Sequence, residues 1–330
     1  MVSKNKEIEE YKKGAKEIKD VKKRFLLIQQ YCGFGNKLFD IILGIYFKSN
    51  YQYDIYYVDS VTKHTKKGDP KMEDVFPLLK GEFLFIDDRE GDYLKYGLKV
   101  PSTKNIPFQS LKSLNDLKKY FVQNRYVLYV SNLYNLCFEM YWSFNQTQKD
   151  ILKINQSLIS PQVKNFSRDV KYAVLHIRYG DKLKLSFGKD VKVITYTPQY
   201  YYDQIQKTKL PVLILTDSSK LVDKFLIQKY NLKNITLLDL NFLDTFHLLQ
   251  YSSFFVMSHS TFSFGAYLLS QRPKEYIYCT LPDLFEKYKT ANCLMSKDWT
   301  VVSDKSYILN FNQTLLKEMY DYYKKEGGEN

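Results

Sequence analysis

From Tyr172 onward the chain alternates short apolar runs with helical segments, and that alternation limits the fold more than any other feature. The runs Tyr172–Ile177, Pro211–Thr216, Ile235–Leu238, Phe254–Met257 and Tyr276–Tyr278 are continuous rather than period-2 in their hydrophobicity. Such runs suit strands buried on both faces. Between them, Thr197-Pro198 supplies an N-cap with proline at the first helical position for a helix to about Gln206. Further helices are expected from near Ser218, from an Asp244 cap through Gln250, and over Ser263–Ser270. Strand–helix repetition of this kind implies an α/β class with a parallel sheet covered on both faces.

The first half follows the same logic less openly. Arg24 to Gln30 reads as a buried strand, the run Tyr31 to Asn36 as a turn, and Leu38 to about Phe47 as an apolar helix. Strands are expected at Tyr53–Val58, Glu82–Ile86 and Tyr126–Val130, with helices at Ser113–Phe121 and Gln146–Ser160. At 330 residues the chain suits two domains. The Ser160-Pro161 dipeptide is the natural hinge, giving a charged extension over 1–23, one domain over 24–160 and another over 161–330. The last helix, near Gln313–Lys325, is expected to pack back across the first domain.

Bulk properties mainly exclude. The net charge of +13 could serve nucleic acid, membrane or a phosphorylated ligand. The lysines are dispersed, however, and no nucleic-acid-binding module is present, so no nucleic-acid partner is expected. Cys32, Cys137, Cys279 and Cys293 form no C-x-x-C pair, which argues against a zinc knuckle or a disulfide framework. The segment Met1 to Arg24 lacks the apolar core of a signal peptide or anchor. No stretch approaches the ~20 apolar residues of a membrane span. A cytoplasmic location without an integral membrane segment is expected, with the five N-x-S/T sites unglycosylated.

In open parallel sheets ligands bind beyond the carboxyl ends of the strands, where helix N-termini favour phosphate. Three post-strand segments stand out. Gly33-Phe34-Gly35-Asn36 lies between a strand and a helix, where glycines permit positive φ and close backbone approach to a ligand. It lacks the third glycine of a dinucleotide fingerprint and is not a P-loop. His176-Ile177-Arg178-Tyr179-Gly180-Asp181 brings a guanidinium to the end of the most apolar strand; its forked donors suit a diphosphate. Arg178 could instead be a structural ion pair with Asp181 or Asp217, and His176 could be either a direct contact or a supporting residue. Ser258 to Ser263 gathers hydroxyls at a strand-to-helix junction, fit for phosphate oxygens or simply for capping the helix. Thr216-Asp217 adds a carboxylate able to pair with a base or ribose, or to cap the helix that follows.

Taken in order, these segments resemble the family 11 glycosyltransferases and the wider group that transfers fucose to position 2, position 6 or protein hydroxyls. The family's G-x-G-N-Q-x-F is matched by Gly33, Gly35, Asn36 and Phe39, with Lys37 in place of Gln, and Gly44 falls where the family's first helix carries a glycine. Its H-x-R-R-x-D is matched by His176, Arg178 and Asp181, with Tyr179 in place of the second Arg. Its F-S-D-D-like segment corresponds to Leu215-Thr216-Asp217-Ser218. Its S-T-F-S-W-W-G-A-Y-L is matched by Ser260, Thr261, Phe262 and Ser263 and by Gly265 to Leu268, with Phe264 replacing two tryptophans. The likeness runs from Phe25 to Trp299, and the stretch between Val58 and Ser131 contributes almost nothing to it.

The resemblance implies a GT-B-type fold, two Rossmann-like domains facing across a cleft, with GDP-fucose as donor substrate and a glycan hydroxyl as acceptor. It implies inversion at the anomeric carbon with no cofactor and no metal, and the chain contains no D-x-D triplet. Arg178, Asn36 and Asp181 are then the expected catalytic residues, Arg178 meeting charge on the departing diphosphate and Asp181 the nearest candidate base. Gly33, Gly35, His176, Asp217, Ser260, Thr261, Phe262 and Ser263 are the expected donor-binding residues. Alternatives are another GDP-sugar as donor, or an inactive sugar-nucleotide-binding protein of the same fold.

Overall fold

A computed structural model describes residues 25–30, 33–60, 69–88, 114, 126–129, 134–186, 194–270, 275–279 and 299–326. The extension over 1–23 lies outside these residues, as does all of the expected Ser113–Phe121 helix except Leu114. The chain forms two compact units, Met1–Asn155 and Gln156–Asn330, both α/β with parallel sheets. Ser160 falls inside the second unit because its contacts are there. Its hydroxyl accepts from Val163 N to cap a helix, and its own N–H donates to Asp244 at 2.8 Å.

The first unit's sheet has strand order β3-β2-β1-β4, where β1 is Phe25–Gln30, β2 Asp54–Ser60, β3 Phe83–Asp88 and β4 Tyr126–Tyr129. Every pairing is parallel. Helix α1, Phe34–Tyr51, connects β1 to β2 and is longer at both ends than its apolar run suggests. It starts early because Gly33 is its N-cap, with φ −70 and ψ 170, and the Gly33 carbonyl accepts from Asn36 N and Lys37 N. Gly35 and Asn36 therefore sit in the first helical turn, and Gly33 does not use the positive φ expected of it. Gln52, left-handed at φ 57, ends the helix.

Leu38, Phe39, Ile41, Ile42, Leu43 and Phe47 of α1 are wholly buried, each contributing on the order of 1.5–3 kcal/mol. Gly44 permits this depth: a Cβ there would lie 2.6 Å from Phe83 Cζ and 3.2 Å from Ile28 Cδ1. Helix α2 (Tyr134–Trp142) packs on α1, and its buried Cys137 thiol donates to the Phe39 carbonyl at 3.4 Å. Helix α3 occupies Gln146–Ile151, closed by an Asn145/Gln148 capping box. It is shorter than the expected Gln146–Ser160 helix, which stops at Leu152 and resumes only as a 3-10 turn, Gln156–Leu158.

The second unit follows the expected alternation. Its elements are α4 (Pro161–Asp169), β5 (Ala173–Ile177), α5 (Gly180–Ser186), α6 (Pro198–Ile205), β6 (Val212–Thr216) and α7 (Ser219–Val222). There follow β7 (Ile235–Leu238), α8 (Phe242–Tyr251), β8 (Phe254–Val256), α9 (Thr261–Leu268), β9 (Glu275–Cys279), β10 (Trp299–Val302) and α10 (Gln313–Lys325). Helix α7 continues as a π-helical stretch, Asp223–Gln228. All five residues of β5 are buried, as its unbroken apolar run requires.

One cap differs from expectation. Asn241, not Asp244, caps α8, accepting from Leu243 N and Asp244 N; Asp244 lies one turn in and accepts from Asn241 Nδ2 and Ser160 N. Asn at an N-cap reaches the second and third N–H groups, which a residue already inside the helix cannot do. Helix α10 packs on α5 and α7 of its own unit, with Lys224 over the Tyr322 ring at 4.0 Å. Among the described residues no helix is long and apolar enough to cross a membrane.

The strand order β10-β9-β8-β5-β6-β7 fixes where a ligand can enter. The chain runs outward from β5 through β6 to β7, then returns to the other side of β5 for β8, β9 and β10. The carboxyl ends of β5 and β8 thus flank the topological switch point of this sheet, where crossover helices leave to opposite faces and open a crevice. In the first unit the same reversal lies between β1 and β4, and Gly33 follows β1.

Candidate functional site

At the β5/β8 switch point the structure assembles His176 and Arg178 from the end of β5 with the turn Ser258–Ser263, which leads from β8 into α9. Ser260 caps α9, its hydroxyl accepting from Phe262 N at 3.2 Å. The same hydroxyl accepts from Arg178 Nη1 at 3.4 Å, so the guanidinium stands at the positive end of the α9 dipole. A cation at a helix N-terminus is unfavourable by itself, and two carboxylates offset it. Asp181 Oδ1 lies 3.5 Å from Arg178 Nη2, and Asp217 Oδ2 lies 3.7 Å from Nε. Neither acid makes a hydrogen bond to the guanidinium, and Nε is buried with no hydrogen-bond partner. The ion pairs expected of Arg178 are present but loose, and 28% of the side chain is exposed.

His176 is a buried support. Its Nδ1 is 2.5 Å from Ser263 Oγ and 2.9 Å from Ser258 Oγ, and those two hydroxyls are 3.1 Å apart. The Phe262 ring lies 5.5 Å from the imidazole and 5.2 Å from Phe246 of α8. Burial first, then the nearby Arg178 charge, pushes the His176 pKa down from 6.5 to about 3. The ring is therefore neutral near pH 7, and its role is to tie the β8–α9 turn to β5. His259 is held down to about 4 by burial and by Lys182, and its Nδ1 accepts from Ile194 N at 3.3 Å.

Tyr179 points elsewhere. It is completely buried, edge-on to Tyr201 of α6 at 6.3 Å. The position that carries the family's second Arg is thus an interior one here, not a vacancy beside Ser260. Asp181 is exposed, and its Oδ2 accepts from Lys182 Nζ at 3.3 Å. Asp217 accepts from Tyr179 N at 3.2 Å and Ser218 Oγ at 3.0 Å. Crowding by protein raises its carboxyl above the ordinary 3.8 against the pull of Arg178, although 40% of the side chain remains exposed.

Of the residues expected at the site, His176, Arg178, Asp181, Asp217, Ser260, Phe262 and Ser263 form one connected group, and Thr261 is the first residue of α9. Gly33, Gly35 and Asn36 belong to the first unit, at the amino end of α1. Three participants lie in the segments singled out by sequence but were not among the expected site residues: Ser258, which bonds His176, and Ser218 and Gly180, which bond each other. Among the described residues no group of three or more His, Cys, Asp or Glu is placed to hold a metal ion.

No protein-family model matches the chain, and no curated protein matches it. Among solved structures, the chain is similar to fucosyltransferase NodZ from Bradyrhizobium, with 13% identity, 76% of this chain and 93% of that one covered, and a TM-score of 0.46. It is similar to an Arabidopsis thaliana FUT1 variant in complex with GDP, with 14% identity, coverage of 82% and 75%, and a TM-score of 0.47. It is also similar to E. coli ADP-heptose lps heptosyltransferase II, with 12% identity, coverage of 92% and 99%, and a TM-score of 0.43.

Proposed function

We propose that the chain is an inverting sugar-nucleotide glycosyltransferase of the family 11 type, transferring fucose from GDP-fucose to a hydroxyl of a glycan. One observation carries the reading. Arg178, part-exposed and only loosely paired with Asp181 and Asp217, stands with Ser260 at the amino end of α9, at the switch point of the second sheet. A forked cation, a hydroxyl and a helix N-terminus converging on one spot suit a diphosphate. The ordered match to the family's motifs supplies the guanine nucleotide and the fucose.

In this reading the second unit binds the donor. Transfer breaks the bond between the anomeric carbon and the diphosphate oxygen while the acceptor oxygen forms the new one from the opposite face. Negative charge grows on the leaving diphosphate, and Arg178 meets it. His176, Ser258 and Ser263 keep the receiving turn rigid, so its dipoles need no reorganisation as charge develops. Asp181 is the proposed proton acceptor. Gly33, Gly35 and Asn36 form a second recognition turn on the first unit. No metal takes part.

The test is a panel of GDP-, UDP- and ADP-sugars, scored for thermal stabilisation and for hydrolysis or transfer. Guanine nucleotides alone should stabilise; at a hundredfold excess over Kd the gain is about 2.7 kcal/mol. Equal stabilisation by UDP or ADP overturns the guanine assignment. The pairing of Arg178 with two acids favours one second reading, an inactive sugar-nucleotide-binding protein. Stabilisation by GDP without turnover of any GDP-sugar would select it.

A further inference from the structure

The neighbours of Asp217 describe a mechanical task. Its Oδ1 accepts from Tyr179 N at 3.2 Å and from Ser218 Oγ at 3.0 Å. Ser218 Oγ accepts from Gly180 N at 2.8 Å, and Ser218 N donates to Thr216 Oγ1 at 3.1 Å. Two successive N–H groups after Arg178 are thus tied to two successive residues after β6. The other carboxylate oxygen faces Gly180. A Cβ at that position would lie 2.7 Å from Asp217 Oδ2 and 3.1 Å from its Cγ. An added methyl would therefore push the Asp217 carboxylate aside, and no left-handed backbone is involved.

We propose that Asp217 and Ser218 form a clamp that positions Arg178, and that Asp217 does not contact the nucleoside. The clamp holds the Tyr179-Gly180 turn, and the turn sets the direction in which Arg178 leaves β5. Oδ1 is spent on that turn, and Oδ2 faces Gly180 and the Arg178 Nε, so the carboxylate is oriented by the turn and the guanidinium although 40% of the side chain stays exposed. The guanidinium feels Asp217 as charge at 3.7 Å without a hydrogen bond, so it can meet an anion without first breaking one. This inference rests on reading the β5/β8 crevice as a diphosphate site.

Calorimetric titration with GDP and with inorganic pyrophosphate tests it, on the wild type, Asp217→Asn, Asp217→Ala, Gly180→Ala and the Gly180→Ala/Asp217→Ala double variant. Asp217→Asn keeps an acceptor at Oδ1, so the GDP-to-pyrophosphate affinity ratio should stay within about twofold. Asp217→Ala should weaken both ligands in parallel, by about tenfold, the scale of a lost charged hydrogen bond. Gly180→Ala should weaken both in the wild type and add nothing once Asp217 is Ala, because the atom it strikes is gone. A tenfold loss of GDP with pyrophosphate unchanged in Asp217→Asn would make Asp217 a nucleoside contact and overturn the clamp. Additive losses in the double variant overturn it as well. If the wild type binds neither ligand, the diphosphate reading fails and melting temperatures decide the clamp. Gly180→Ala should lower Tm in the wild type but not in Asp217→Ala, and equal drops in both backgrounds refute it.

Discussion

Replacing Arg178 with Ala separates a catalytic cation from a structural one. The Arg178 side chain is 28% exposed, and its two acids, Asp181 and Asp217, are 43% and 40% exposed at 3.5 and 3.7 Å. Partly hydrated pairs of this kind contribute about 0–1 kcal/mol to folding. Removing the cation leaves both acids able to take up water, so Tm should fall little. The effect on transfer is larger. A unit charge growing about 4 Å from a guanidinium gains ~4 kcal/mol at an effective dielectric near 20. The flanking acids already offset part of that field, which places the loss in kcat at about 10²–10³, the scale of a lost preorganised donor. Because the charge grows only during reaction, kcat should drop more than KM rises. Arg178→Lys should recover little, since one ammonium cannot reproduce the fork. The assay is steady-state turnover of GDP-fucose on variants whose folded fraction is checked by melting. A folded Arg178→Ala protein with near-normal kcat refutes the catalytic assignment. Activity that merely tracks a lowered Tm returns Arg178 to a structural pair.

Transfer should survive EDTA with little loss; abolition that manganese restores would mean the diphosphate is held by a metal instead of by Arg178 and the α9 terminus. His176, about 3 in the folded chain and ordinarily 6.5, contributes stability that is full above pH 6.5 and is lost as pH falls toward 3. His259, at about 4, acts with the same sign. Urea melts at pH 7, 5 and 4 should therefore show a falling midpoint that His176→Gln partly flattens, and an unchanged slope in that variant refutes the linkage. Gly44→Ala should destabilise the first unit by about 1–3 kcal/mol, because the added methyl meets Phe83 at 2.6 Å. A denaturation midpoint equal to wild type would show that Phe83 gives way.

Most of the second sheet is legible from residue order because parallel strands buried on both faces leave continuous apolar runs, and Thr197-Pro198 marks its helix sharply. Errors gather where local rules compete. Asp244 looks like a cap because acids favour first helical turns, but Asn241 stands at the true boundary and reaches the free N–H groups first. The G-x-G turn invites a left-handed backbone, yet Gly33 simply caps α1, and the glycine under real steric demand in that helix is Gly44. That demand comes from Phe83, remote in sequence, so no local pattern could reveal it.

The second unit's share of the candidate site was legible as a cluster of residues but not in how they contact one another, and strand geometry explains why. His176 near the end of β5 and Arg178 just beyond it are two apart in extended chain, so they share a side and both reach the Ser258–Ser263 turn, one from the core and one from the rim. Tyr179 takes the other side and packs on Tyr201. Asp181, one helical turn further, comes back beside the guanidinium. The role of Asp217 depends on register alone. Ile177 pairs with Thr216 across β5 and β6, so the residues just beyond each strand, Arg178 and Asp217, become neighbours. A shift of one residue in that pairing would put Ser218 beside Arg178 in place of Asp217. Read in isolation, Leu215-Thr216-Asp217-Ser218 offers a carboxylate for a nucleoside. Once paired in register, Asp217 and Ser218 accept from the Tyr179-Gly180 turn that follows the neighbouring strand.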